Sequence, residues 1–323
     1  MSWLHVFEIL CYLITGMLVI DIVKSKRENE PSLFLSAAVS GYLCELLAVR
    51  FSGLYHYNPN FYFNIGPHPH QFPFFGGLMW AGITVCSFRI ARKLGFGKGM
   101  TALSAGWLIV SLDLLLDVCA IRLNGGFWVW EGLELNQEIN HHAFMSVIWT
   151  NYLGYLFETP AIIYLSMKSW QKKEDHNKNQ SKVEPAKENK ISSKKLIRAL
   201  RIGFYAVMIV GLASIATLFL NHLTKDWFAF IAFLILWFYS FFALVRKLRQ
   251  HMNEIEFKGN IDWTLCLYWI CMYGYCLLGL WKLGLFHTYP LYGIFALFLA
   301  LGTLCLCLMP SITEANLSQI EEE

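Results

Sequence analysis

Runs of roughly 20 apolar residues, the length that crosses a bilayer as a helix, recur at 3–23, 32–50, 72–92, 102–121, 144–166, 202–221, 227–245, 263–281 and 289–309. They predict an all-α fold, a polytopic transmembrane helical bundle of about nine spans. The first run has no positive flank before it and no small-residue cleavage site after it. Lys24, Lys26 and Arg27 follow it, so it reads as an anchor and not as a removable signal. Of the 26 Lys and Arg residues, 22 fall at 24–27, 89–98, 168–201 and 246–258, which share one side of the alternation. Only Arg50, Arg122, Lys225 and Lys282 fall on the other. Positive residues stay in the cytoplasm, so a multi-pass protein of the cell membrane is expected, N-terminus out and C-terminus in.

Composition agrees with lipid as the solvent: 56% of the 323 residues are hydrophobic and 15% charged, against about 25% charged in soluble domains. The net charge of +3 then reflects topology and gives no reason to expect a nucleic-acid partner. Polarity divides the chain. Residues 1–167 form a five-helix membrane region that carries the candidate site. Residues 168–200 form a lysine-rich cytoplasmic linker, expected to be disordered or loosely helical. A four-helix membrane region at 201–310 and an acidic tail at 311–323 follow. In the second region Asp226, Asp262 and Lys282 sit at helix ends, where water is within reach. The nine cysteines lie mostly in apolar runs and lack zinc spacing, as expected of small hydrophobes between helices.

Carboxylates inside the spans change the picture. Each costs about 2.5–3.5 kcal/mol near a helix centre on insertion scales, which makes it a functional candidate. The chain has Glu8, Glu45, Asp113, Asp117 and Glu158 in such positions. Asp113 and Asp117 are four apart and share a helix face. Two carboxylates that close in a low dielectric do not both ionise, leaving an acid beside a carboxylate. At about 1.5 Å per residue, Glu45 lies roughly 7 Å below the outer end of its helix, Asp117 roughly 6 Å and Asp113 roughly 12 Å. Glu8 and Asn151 fall at similar depths, and Glu158 lies deeper. A single cavity between the first five helices requires that shared depth. The alternative is that these acids hydrogen-bond backbone, Tyr or Trp groups and only fix helix contacts, a reading that suits Glu8 and Glu158 best.

Two outer segments interleave aromatics with Gly and Pro, FSGLYHYNPNFYFNIGPHPHQ at 51–71 and GGFWVWEG at 125–132. Such backbone builds compact or lid-like loops, which lie at membrane depth only where protein covers them. His68, His70, His141 and His142 lack the spacing of di-iron histidine boxes and read as loop histidines, so no metal site is expected. The Asp113–Asp117 spacing also fits a diphosphate-binding DxxxD. That chemistry needs basic residues and the cytoplasmic face, and this pair has neither.

Glu45, SGLYHY (52–57), PHPHQFPFFGGLMW (67–80), SLDLLLD (111–117), GGFWVWEG (125–132) and WTNYLGYL (149–156) follow one another in order. Together they resemble the integral-membrane carotenoid hydratases, which include bacterial γ-carotene hydratases and archaeal bisanhydrobacterioruberin hydratases. The likeness covers residues 45–156, about a third of the chain. Val118 stands where the family pattern has proline, Ser146–Trp149 replaces a Gly-Val-Pro, and no motif follows residue 168.

The resemblance implies a carotenoid-biosynthesis lyase that adds water to the terminal double bond of a linear carotenoid, with no cofactor. A neutral acid protonates the alkene to a tertiary carbocation and water quenches it. Asp113 or Asp117 would donate the proton while the other stabilises charge, and Glu45 or Asn151 would orient water. Tyr55, Tyr57, Trp80, Trp128, Trp130 and Tyr155 would bind the substrate and offer ring faces to the cation. The implied partners are a hydrophobic isoprenoid or carotenoid, the lipid bilayer and neighbouring carotenoid-pathway enzymes. The same acid chemistry without water is terpene or polyprenyl cyclisation, which stays open. So does a proton-coupled carrier of a lipid or small molecule.

Overall fold

In the computed structural model, which describes residues 2–25, 27–180, 193–252 and 261–309, the apolar runs are helices. They are α1 (Trp3–Lys24), α2 (Glu30–Phe51), α3 (Phe74–Lys93), α4 (Lys98–Ala120), α5 (Trp149–Gln180), α6 (Ser193–Leu223), α7 (Trp227–Met252), α8 (Trp263–Lys282), a short α9 (Leu285–Thr288) and α10 (Pro290–Leu308). Their starts follow backbone chemistry. The Ser2 hydroxyl accepts the His5 N–H at α1, the Asp262 carboxylate accepts the Leu265 N–H at α8, and prolines occupy the first turns of α2 and α10.

Eight of the described helices are long and apolar enough to cross a membrane, one fewer than expected. The exception is α5, whose Asn151, Glu158 and Pro160 lower its apolarity. It packs among α2, α4, α6 and α7, so those polar positions face protein. It also begins at 149 and not 144. Ala143–Phe144 (β5) pairs antiparallel with Val147–Ile148 (β6) across a turn in which Met145 and Ser146 have positive φ. The polar linker is partly helical, because α5 continues to Gln180 and α6 starts at Ser193. The rest of the linker, 181–192, and the acidic tail lie outside the described residues.

Helix α4 is the axis of the bundle, buried along nearly its whole length against α3, α5, α7, α8 and α10. Glycines set its contacts. A Cβ on Gly106 would sit 2.8 Å from the Pro160 ring, so α4 and α5 meet at backbone distance. Gly41 admits Trp80 in the same way between α2 and α3. At one end the N-terminus meets the long connections: Leu4 N–H donates to the Asn124 side chain and His5 Nε2 to the Asn60 carbonyl.

The opposite end is held by charge. The Arg89 side chain, 2% exposed, lies 2.7 Å from both Asp21 and Glu30 and 3.2 Å from Asp262. Arg27 joins Glu30 and Asp262 at 3.3 and 3.1 Å. Asp262 therefore belongs to a half-enclosed ion network and does not simply face water. Burial pushes its carboxyl up, but the Leu265 N–H and the Arg89 and Arg27 guanidinium groups outweigh burial and hold it below the ordinary carboxylate range.

Removing one partner of a buried ion network costs about 3–5 kcal/mol, so Arg89→Ala is expected to lower the melting temperature of the detergent-solubilised protein sharply. The Asp262 contribution is complete above the unfolded carboxylate value of about 3.9 and disappears as pH falls through the lower folded value. Thermal melts of wild type and Asp262→Asn across that range check the sign, because the variant loses this pH dependence.

Candidate active site

Residues 55–57 and 128–130 are extended and too short to stand alone, so they pair. Tyr55–Tyr57 (β1) runs antiparallel to Trp128–Trp130 (β4), with Tyr55 opposite Trp130 and Tyr57 opposite Trp128. Side chains alternate across a strand, so the two tyrosines and two tryptophans share one face. The burial of β4 follows this alternation, with Trp128 and Trp130 buried and Val129 exposed between them. Ring centroids lie 5.0 Å apart for Tyr55–Trp130 and 5.8 Å for Tyr57–Trp128. Gly126, at φ 98°, turns the chain into β4, and a Cβ there would meet the Trp128 carbonyl at 2.9 Å. The two aromatic motifs of the outer segments are thus one ribbon capping the helix ends.

Beneath the ribbon is a cavity of ≈ 40 Å³, room for a few water molecules. Asp113, Asp117, Glu45, Tyr55, Tyr57, Trp80, Trp128, Trp130, Asn151 and Tyr155 all line it. One turn apart on α4, both aspartates are buried. Asp117 Oδ2 accepts from the Asn151 amide at 2.6 Å. Asp113 Oδ2 has no hydrogen-bond partner among the described residues. Glu45 Oε2 accepts the Tyr55 and Tyr57 hydroxyls at 2.6 and 2.9 Å, which ties the ribbon to α2. Trp80 lies against Tyr155, centroids 4.9 Å apart, and so bridges α3 and α5.

The other two intramembrane acids sit elsewhere. Glu8 is fully buried and accepts the backbone N–H groups of Tyr62 and Phe63 at 2.8 and 3.1 Å, so it anchors the loop behind the ribbon. Glu158 accepts the Ser40 hydroxyl at 3.5 Å and lines a neighbouring groove. Three of the four loop histidines are engaged away from the cavity: His70 Nδ1 donates to the Val49 carbonyl, His141 stacks on Trp227 and His142 pairs with Asp226.

Phe72, Pro73, Phe75, Gly76, Met79 and Leu116 also line the cavity and were not singled out in the sequence. Five of them lie in the segment PHPHQFPFFGGLMW, where a rule that seeks charged or hydroxyl groups passes over them. Apolar walls give no such signal until the chain is folded.

The cavity offers two buried carboxyl groups on one helix, a third held by two phenols, and aromatic walls. Such a set can deliver a proton to an apolar molecule and shelter the cation that results. A family model described as carotenoid biosynthesis protein matches residues 5–219. The match takes in α1 through most of α6, well beyond the motif-bearing segment. No curated protein and no solved structure matches the chain.

Glu8→Ala removes the acceptor of the Tyr62 and Phe63 backbone N–H groups, at a cost of about 0.5–1.5 kcal/mol for each hydrogen bond lost. Faster amide hydrogen exchange over residues 55–65 than in wild type is the expected outcome.

Proposed function

Since this chain belongs to the carotenoid biosynthesis protein family, with a match over residues 5–219, we propose that it is a hydratase of linear carotenoids. On this reading it adds water across a terminal isoprene double bond at the Asp113–Asp117 cavity, in the cell membrane. The observation that carries the reading is an acid pair enclosed by aromatic rings, one oxygen of which, Asp113 Oδ2, has no hydrogen-bond partner among the described residues.

A carboxylate needs donors and a carboxylic acid does not. Asp117, which receives the Asn151 amide hydrogen, suits the charged partner. Asp113, whose Oδ2 receives none, suits the acid. Its O–H bond breaks as a C–H bond forms at the less substituted alkene carbon, leaving a tertiary cation. The ribbon tryptophans and Trp80, which line the cavity, would stabilise that charge through their ring faces. Water attacks the cation and its surplus proton returns to the carboxylate of the pair, so the catalyst is regenerated and the product gains one water. Glu45, fixed by Tyr55 and Tyr57, orients the attacking water.

Expression in a host that accumulates lycopene, followed by mass analysis of the lipid extract, tests the proposal. The expected product is heavier than lycopene by one water per reacted end. A product of unchanged mass means cyclisation, and no covalent change means a carrier; either overturns the proposal. General acid catalysis contributes about 10²–10⁴-fold, so Asp113→Asn and Asp117→Asn should each lose at least the lower figure while inserting normally.

A further inference from the structure

Helix α6 touches α2 closely at one level and parts from it at another. At Gly203 an added Cβ would lie 2.8 Å from the Ser36 carbonyl, and the Ser36 hydroxyl donates to the Ala199 carbonyl at 3.0 Å. Eight residues on, about 12 Å along the helix, a Cβ on Gly211 would meet nothing within 4 Å. Facing α6, Gly154 on α5 is equally open. Glycine in a helix interior costs about 1 kcal/mol relative to alanine, and at these two positions no close helix contact accounts for it. Between them runs a groove of ≈ 490 Å³ bounded by α2, α5 and α6 and lined mainly by apolar side chains. A volume in that range takes a drug-sized ligand, hence several isoprene units.

The groove adjoins the acid cavity, since Glu45, Tyr55, Trp130, Asn151 and Tyr155 line both. Trp130, 7% exposed, has its indole N–H buried without a partner among the described residues. The α6 wall ends in Ile215 and Leu218, which are exposed on the flank of the bundle. The groove thus runs from the lipid-facing surface up to the residues that also line the acid cavity.

We infer that this groove binds the apolar polyene tail of the substrate, which slides in from the bilayer between α5 and α6 so that only its terminal alkene reaches Asp113. The inference rests on the reading of the cavity as a site for an isoprenoid end. It gives α6 a part in substrate binding, and it sets the substrate class as a long linear isoprenoid whose far portion stays in lipid.

The test measures the carotenoid retained per protein molecule after purification from lycopene-producing cells, with conversion followed separately. Gly211→Phe and Gly154→Phe fill the groove and should lower retention about tenfold or more. Gly302→Phe, on the exposed face of α10 with open space around it, should retain carotenoid as wild type does. Monodisperse elution of each variant controls for folding. Equal retention in the groove variants and wild type overturns the inference, as when a phospholipid chain occupies the groove instead. Absence of carotenoid from wild type also overturns it. Reduced retention in the groove variants with no hydrated product from wild type upholds the groove and overturns the hydratase reading alone.

Discussion

A carboxylate placed in a lipid-embedded bundle must find hydrogen-bond donors or a counter-ion inside the protein, because lipid supplies neither. Much of this architecture answers that demand, and each acid answers it differently. Asp21, Glu30 and Asp262 converge on Arg89 at one end of the bundle. Glu8 takes two backbone N–H groups from the loop at the other end. Glu45 takes two phenols and Asp117 an amide. The first two solutions bind helices to one another and a loop to the bundle, and they leave no reactive group exposed. The last two surround a hollow, and Asp113 beside it is left with an oxygen that has no hydrogen-bond partner among the described residues. A buried polar atom without a partner is costly wherever it serves no purpose. Asp21 Oδ2 also lacks a hydrogen-bond partner but has the Arg89 guanidinium at 2.7 Å, whereas Asp113 has no such cation beside it among the described residues.

The same residues that satisfy the charges also fix the geometry. Tyr55 and Tyr57 are held by strand pairing with Trp128 and Trp130, so Glu45 is oriented by backbone hydrogen bonds formed between two distant loops. Asn151 reaches Asp117 because α4 and α5 approach to the distance that Gly106 and Pro160 allow. Trp80 stands in the space opened by Gly41. Small residues at helix contacts, common where lipid gives no hydrophobic drive to association, thus place the cavity-lining side chains as well as the helices. Where glycines at 154 and 211 meet no neighbour, the same residue type leaves space, and that space adjoins the cavity.

Hydrophobic run length determined the polytopic helical class, because a helix satisfies its own backbone in lipid and its length is set by the bilayer. Ionisable residues within those runs marked the candidate site, because their cost in lipid is high enough to make each one stand out from the chain. The same measure missed how far α5 departs from an apolar span and where it begins. Its polar positions face other helices, and the β5–β6 turn depends on backbone angles at Met145 and Ser146 that composition does not encode.

Tertiary structure alone decided which acids share a space. Glu8 and Glu45 lie at similar expected depths, yet one anchors a loop and the other lines the cavity. The difference arises from helix rotation and from contacts between residues far apart in sequence. Pairing of the two aromatic motifs into a ribbon, the apolar wall from Phe72 to Met79 and the divergence of α6 from α2 are likewise properties of that three-dimensional arrangement. Residue type and spacing state what a side chain can do and what it costs to bury. Only the close approach of distant segments states what it will meet.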